Sequence, residues 1–301
     1  MGAGALGGYF GARLAAAGND VGFIARGAHL AAIRQDGLRV TSARGDLHLR
    51  DVAATDDPGA LAPADVVMVG VKLWDTEAAA EAIKPLMRQG TAVVSFQNGV
   101  SKDDVLRRVL GRDAVIGGVA QIGAVIDSPG VIAHTGTMAK LIFGEFDNRR
   151  SPRVEALLAA CVAAGIDAEI PADINLAIWE KFAFLVPMAA STASMRSTIG
   201  PIRANPHAFG FLLDVMKEVV AVGRALGVAL PANFAEQRRA FIEGLPPQMT
   251  ASMAGDLARG NRLELPWLSG AVVEFGEKAG VSTPLNRAVR DILALYVNGA
   301  P

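Results

Sequence analysis

A single cysteine, Cys161, occurs in 301 residues. That excludes an internal disulfide, and its small apolar setting, "EALLAACVAAG", reads as a buried structural thiol rather than a nucleophile. The four histidines (29, 48, 134 and 207) lack metal-ligand spacing, so no metal site is expected. No apolar run approaches the roughly 18–20 residues that span a bilayer. "ADVVMVGV" and "FAFLVPMAA" are read as core instead. An N-terminal basic segment followed by an apolar stretch is also missing, so a signal peptide is not expected. Basic residues are scattered, and the net charge is −1. No positive field is available to attract nucleic acid or anionic lipid. Internal repeats and low-complexity segments are absent. These absences predict a soluble, cytoplasmic protein without nucleic-acid or membrane partners.

What is present is apolar bulk: hydrophobic residues make up 51% and charged residues 20%, enough for a sizeable core in one or two domains. The first half alternates between helical and strand patterns. "ALGGYFGARLAAAG" reads as a helix, "DVGFIAR" as a short strand and "AHLAAIRQDG" as a helix again. "LRVTSARGDLHL" looks like two strands joined at Arg44-Gly45. "ADVVMVGVK" and "TAVVSFQNG" are continuous apolar runs of the kind a strand buried on both faces shows, with helical "DTEAAAEAIKPLM" between them. "AVIGGVAQIGAVI", "GVIAHTG" and "KLIFGEF" add three β-rich pieces, and Ser151-Pro152 opens a further helix. This alternation predicts a doubly wound, Rossmann-type sheet. After about Pro171 the pattern is helical only, with a kink predicted at Pro187 and an Asn205-Pro206 helix start. The expected layout is a nucleotide-binding domain over residues 1–170 and an all-helical domain over 171–301.

The chain opens "MGAGALGGYFG", in which Gly2, Gly4 and Gly7 have the G-x-G-x-x-G spacing of a dinucleotide pyrophosphate loop. It leads into a helix whose free amides and positive dipole end suit an anion, placing Ala5 and Leu6 at the phosphates as well. The strand that normally precedes this motif is missing. The expectation is that the sequence begins at an internal methionine, with Met1 as the last residue of that strand. The slot beside "ADVVMVGV" should then hold no continuous strand of this chain.

At the end of the second strand, NAD sites place an acidic residue for the ribose hydroxyl. Here that position holds Arg26, whose guanidinium suits a 2′-phosphate, so NADP(H) is favoured. Lys72 and Asn98 each close a buried strand, where ligands of open α/β sheets collect.

Together, "GAGALG", Arg26, "VKLWD", "QNG", "IWEKF" and "TASMAGDLARGNRLE" resemble the ketopantoate reductase (2-dehydropantoate 2-reductase) family over nearly the whole chain. The resemblance implies a Rossmann domain, a helical domain and an active site in the cleft between them that reduces a branched 2-oxo acid with NADPH. It further implies that Gly2, Gly4 and Gly7 bind pyrophosphate, that Arg26 binds the 2′-phosphate, and that Lys72 and Asn98 line the nicotinamide ribose and substrate. Lys181 in "WEKF" corresponds to the general acid, Glu264 in "GNRLE" to the supporting carboxylate, and Ser252 in "TASM" to a substrate-carboxylate contact. Three positions depart from the family's asparagines: Leu185, Ala189 and Met249. A pocket with fewer polar groups points to a more apolar 2-oxo acid. An opine-type imine substrate, a non-catalytic nucleotide-binding role and a homodimer through the apolar helices remain open.

Overall fold

The computed structural model describes residues 1–300. Its N-terminal part comprises α1 (Ala5–Ala16), β1 (Phe23–Ile24), α2 (Gly27–Asp36), β2 (Leu38–Thr41), β3 (Leu47–Leu49), β4 (Ala54–Thr55), β5 (Val66–Val69), α3 (Thr76–Ala82), β6 (Ala92–Ser95), α4 (Lys102–Leu110), β7 (Val115–Ser128), β8 (Val131–Gly144), α5 (Pro152–Ala163) and β9 (Asp167–Glu169). Helices follow: α6 (Ile174–Ser194), α7 (Ile199–Ala204), α8 (Pro206–Ala225), α9 (Phe234–Glu243), α10 (Ser252–Ala258), α11 (Ser269–Ala279) and α12 (Pro284–Ile292). The chain forms two compact units. One contains Met1–Asn98 with Lys102–Ala177, and the other contains Gly99–Ser101 with the chain from Ile178 onward.

In the first unit a seven-stranded sheet runs β3-β2-β8-β7-β6-β5, with β9 beside β8, and β1-β4 form a separate pair. Pairings β5–β6, β6–β7, β2–β8 and β1–β4 are parallel, whereas β7–β8 and β2–β3 are antiparallel. Helices cover both faces, as side-chain alternation requires. Ala92 and Val94 of β6 join one apolar cluster with Tyr9 and Phe10 of α1, and Val93 joins another with Ala80 of α3 and Leu106 of α4.

Two of the three β-rich pieces read after residue 114 are one strand. β8 is continuous from Val131 to Gly144 and pairs with β7 across an irregular stretch between Ile122 and Ala124, where Gly136 takes φ +83°. The single hairpin arises because β7 supplies partners on both sides of that polar interruption.

Between β1 and β5 lies Met1. Its N-terminal ammonium donates to Met68 O (2.7 Å), its carbonyl accepts from Gly70 N (2.9 Å), and Gly2 N and Ala3 N both donate to Ile24 O (3.1 and 2.8 Å). The slot beside β5 therefore holds Met1 and no strand among the described residues. Burial lowers the Met1 ammonium pKa from 8.0 to about 5.

Cys161 is fully buried, and desolvation raises its thiol to about 11, which makes it inert packing. Among the described residues of the second unit, the regular elements are all helices. Helix α6 runs unbroken through Pro187. Glu218 of α8 accepts from the amides of Leu285 (2.8 Å) and Asn286 (2.9 Å) and so caps α12, because Thr283 offers that helix no side-chain cap. No helix among the described residues is long and apolar enough to cross a membrane.

Candidate active site

The glycine loop starts from the strand ends. Gly2 takes φ +83°, and a Cβ there would stand 2.8 Å from both Val71 N and Val71 Cγ1, so only glycine lets the loop lie against the end of β5. A Cβ at Gly7 would overlap the Gly2 carbonyl oxygen. Gly4 differs. It precedes α1 with φ −74°, ψ −159°, a conformation open to any L-residue, and a Cβ there would meet nothing within 4 Å. The protein leaves this space open directly before the first amides of α1, at Ala5, Leu6 and Gly7. The first turn of α1 has no acidic residue to oppose an anion. This cradle fits a dinucleotide pyrophosphate by shape and by charge.

The remaining predicted residues of this unit stand just beyond the ends of β1, β5 and β6. Arg26, exposed, is the residue before α2, and β1 ahead of it is bonded to Gly2 and Ala3 through Ile24 O. Lys72 is exposed at the exit of β5 with extended backbone, its Nζ 5.7 Å from the Trp74 ring centroid. Asn98 follows β6, half-buried. Gln97, one residue earlier, was not among the sequence candidates. It is 7% exposed, and its Nε2 donates to Val71 O and to Thr76 Oγ1, both at 2.9 Å, while its Oε1 accepts from Ser95 Oγ (2.9 Å). Gln97 thus ties the loop carrying Lys72 to the strand end carrying Asn98. A glutamine closing an otherwise apolar strand is the only sequence signal for it.

In the second unit Lys181 is half-buried on α6. Leu185 and Ala189 follow at successive i+4 positions on the same helix face, with Leu185 half-buried and Ala189 buried. One turn further, Thr192 Oγ1 donates to Met188 O (2.7 Å) and accepts from Ala251 N (3.4 Å). Ile199 N donates to Met249 O (2.9 Å) and Gly200 N to Pro247 O (2.8 Å). These bonds fasten the segment before α10 to the end of α6 and to α7, and so place exposed Ser252, the first residue of α10. Glu264 is 7% exposed between Leu263 and Leu265, which are fully buried. Leu263 N donates to Val297 O (3.0 Å), and Glu264 O accepts from Trp267 N (3.0 Å), so the backbone carrying the carboxylate is fixed on both sides. No group of three or more metal-ligating side chains occurs among the described residues.

The sequence profile of the family described as "Ketopantoate reductase PanE/ApbA" matches residues 1–148, and that of its C-terminal domain matches residues 173–297. The chain belongs to the ketopantoate reductase family. A 2-dehydropantoate 2-reductase of Archaeoglobus fulgidus is 33% identical over 97% of this chain and 95% of its own. The crystal structure of a PanE/ApbA family ketopantoate reductase from Ralstonia eutropha JMP134 superposes with a TM-score of 0.90 at 35% identity, covering 99% of this chain and 97% of that one. A D-mandelate dehydrogenase solved with NADH and anilino(oxo)acetate shares the fold, with a TM-score of 0.89 at 19% identity over 98% of this chain and 96% of its own. The ketopantoate reductase family comprises oxidoreductases acting on CH–OH groups.

Proposed function

We propose that the chain reduces a 2-oxo acid to the corresponding 2-hydroxy acid with NADPH. The observation that carries this reading is Gly4. Its missing Cβ relieves no contact within the protein, and it directly precedes the free amides of α1, so it leaves room for a group approaching the start of that helix. When bound there, the dinucleotide supplies the hydride. The amides of Ala5, Leu6 and Gly7 hold the pyrophosphate, and the Arg26 fork holds the 2′-phosphate. Lys72 and Asn98 hold the nicotinamide ribose and the substrate at the strand ends.

Lys181 donates the proton that the carbonyl oxygen needs as it becomes an alkoxide, and its cationic form stabilises that oxygen. Glu264 balances the lysine charge and orients the substrate, and the Ser252 hydroxyl meets the substrate carboxylate. In this reading residues 1–170 serve the cofactor and 171–301 determine the substrate and form a homodimer in the cytoplasm.

Within this class, 2-dehydropantoate is the family substrate. Leu185 and Ala189 on the Lys181 face of α6 favour a second reading, a more apolar 2-oxo acid. That the same fold takes anilino(oxo)acetate in D-mandelate dehydrogenase is compatible with it.

Steady-state oxidation of NADPH against a panel of 2-oxo acids tests both readings. The expected result is turnover that falls roughly 10²–10⁴-fold in K181A, with apolar acids at least matching 2-dehydropantoate. No turnover with any 2-oxo acid overturns the first reading. A preference for 2-dehydropantoate by orders of magnitude overturns the second.

A further inference from the structure

His29 stands three residues after Arg26, within the first turn of α2, and both of its ring nitrogens are bonded to backbone. Nε2 lies 2.9 Å from the carbonyl oxygen of Ala3, the residue between Gly2 and Gly4. Nδ1 lies 3.0 Å from the amide nitrogen of Gly130. A carbonyl oxygen can only accept and a backbone N–H can only donate. The ring therefore donates from Nε2 and accepts at Nδ1. With both nitrogens engaged, the ring has no atom left for proton transfer or for a metal.

The two backbone partners are not equivalent. Gly130 lies in the turn between β7 and β8 and is held by the rest of the fold. Its carbonyl accepts from Arg39 N (2.9 Å), it takes φ +79°, and a Cβ on it would stand 3.1 Å from Ala32 Cβ. Ala3 belongs to the glycine loop, anchored on its other side through the bonds from Gly2 N and Ala3 N to Ile24 O. The Ala3 carbonyl has His29 as its hydrogen-bond partner. His29 thus passes the rigidity of the β7–β8 turn to the loop.

We propose that His29 is a positioning residue of the dinucleotide site: by holding the Ala3 carbonyl against α2, it sets the α1 amides at a fixed distance from Arg26, so that pyrophosphate and 2′-phosphate are received in one geometry. This inference rests on the reading of the glycine loop as a dinucleotide site. His29 touches the cofactor nowhere in this account. It acts through Ala3 and through the helix that Arg26 precedes.

The experiment is a fluorescence titration of NADPH, with steady-state kinetics, on wild type, H29F and H29Q. Phenylalanine keeps the planar bulk and removes both hydrogen bonds. Glutamine restores one donor and one acceptor. The expected result is a roughly ten-fold rise in both Kd and KM for NADPH in H29F, the size of one lost anchoring hydrogen bond. The kcat at saturating NADPH should be unchanged, and H29Q should recover most of the affinity. A merely structural role would lower kcat and the folded fraction together and would not be rescued for affinity alone. Wild-type Kd in H29F, or a fall in kcat without a change in Kd, overturns the proposal while leaving the dinucleotide site standing. Failure of wild type itself to bind NADPH or NADH overturns both. Should H29F fail to fold, H29A takes its place, and wild-type Kd in H29A overturns the proposal equally.

Discussion

The side-chain amide of Gln97 donates to the carbonyl of Val71 at 2.9 Å, so the residue before Lys72 is fastened to the residue before Asn98. Beyond the last backbone bond between β5 and β6, from Phe96 N to Val69 O (3.1 Å), one buried side chain continues the link between the two strand ends, and it also reaches Thr76 Oγ1 and Ser95 Oγ.

Replacing Gln97 with leucine keeps the volume and removes all three bonds. Leaving Val71 O and its neighbours unsatisfied should cost about 1–3 kcal/mol of stability, read as a shift in the denaturant midpoint. The displaced Lys72 loop should lower kcat/KM about ten-fold or more, in line with the sensitivity of positioned groups. A variant that loses stability but keeps full kcat/KM at low temperature would show that Gln97 serves the fold alone.

Gly4 and Gly7 make an internally controlled pair. G4A introduces a methyl group into open space, and the loss of glycine at a helix N-cap should cost no more than about 1 kcal/mol. NADPH affinity should nevertheless fall by at least about ten-fold, because a bound pyrophosphate needs that space. G7A drives a methyl group into the Gly2 carbonyl and should unfold the loop whether or not ligand is present. Thermal melts with and without NADPH separate the two. Equal ligand-induced stabilisation of wild type and G4A would remove the cofactor reading of Gly4.

Arg26 governs the choice of dinucleotide. R26A should weaken NADPH by about 10–100-fold, the scale of a charge-assisted hydrogen-bond pair, and leave NADH unchanged. The measurement is the ratio of the two dissociation constants. A ratio that does not move when the guanidinium is removed would place the 2′-phosphate elsewhere.

Acid stability is expected to depend on Glu145. Its carboxylate accepts from both Arg153 Nε and Nη2 (2.7 Å each) and from Ser151 Oγ (2.6 Å). Burial alone would raise this carboxyl, but the Arg153 and Ser151 hydrogen bonds outweigh it and hold the pKa below its ordinary 4.5. A depressed carboxyl contributes stability that is present above the unfolded value and lost as pH falls through the folded one. Arg153 is partly exposed, so R153M should cost about 2–3 kcal/mol at pH 7, below the figure for a fully buried pair. The stranded carboxylate then prefers its proton, so the gap from wild type should close below about pH 4.5. A deficit independent of pH in denaturant titrations would show that Arg153 contributes packing rather than charge.

The sequence carried the fold class because period and punctuation are local. Apolar runs at β5 and β6, glycine at Gly2 and Gly7, and the Asn205-Pro206 start of α8 each report on their own neighbourhood. The positions of Lys72 and Asn98 just beyond strand ends were legible for the same reason, as polar residues closing apolar strands. Gln97 and His29 were not, because each is defined by partners distant in sequence: Val71 for Gln97, and Ala3 and Gly130 for His29. Histidine spacing tests for metals, and a histidine held by two backbone groups has no spacing to display. Likewise, the union of two β-rich pieces into β8 depends on pairing with β7, which no window over residues 131–144 contains.

The cap that Glu218 places on α12 has a consequence for how the molecule reaches its folded state. Pro284 opens that helix locally, but the carboxylate that receives its first free amides is on α8, so those amides have their partner only when α8 is in place. The cap couples the two helices, so the amides of Leu285 and Asn286 should exchange with solvent at the rate at which α8 and α12 come apart, not at the faster rate of a fraying helix end.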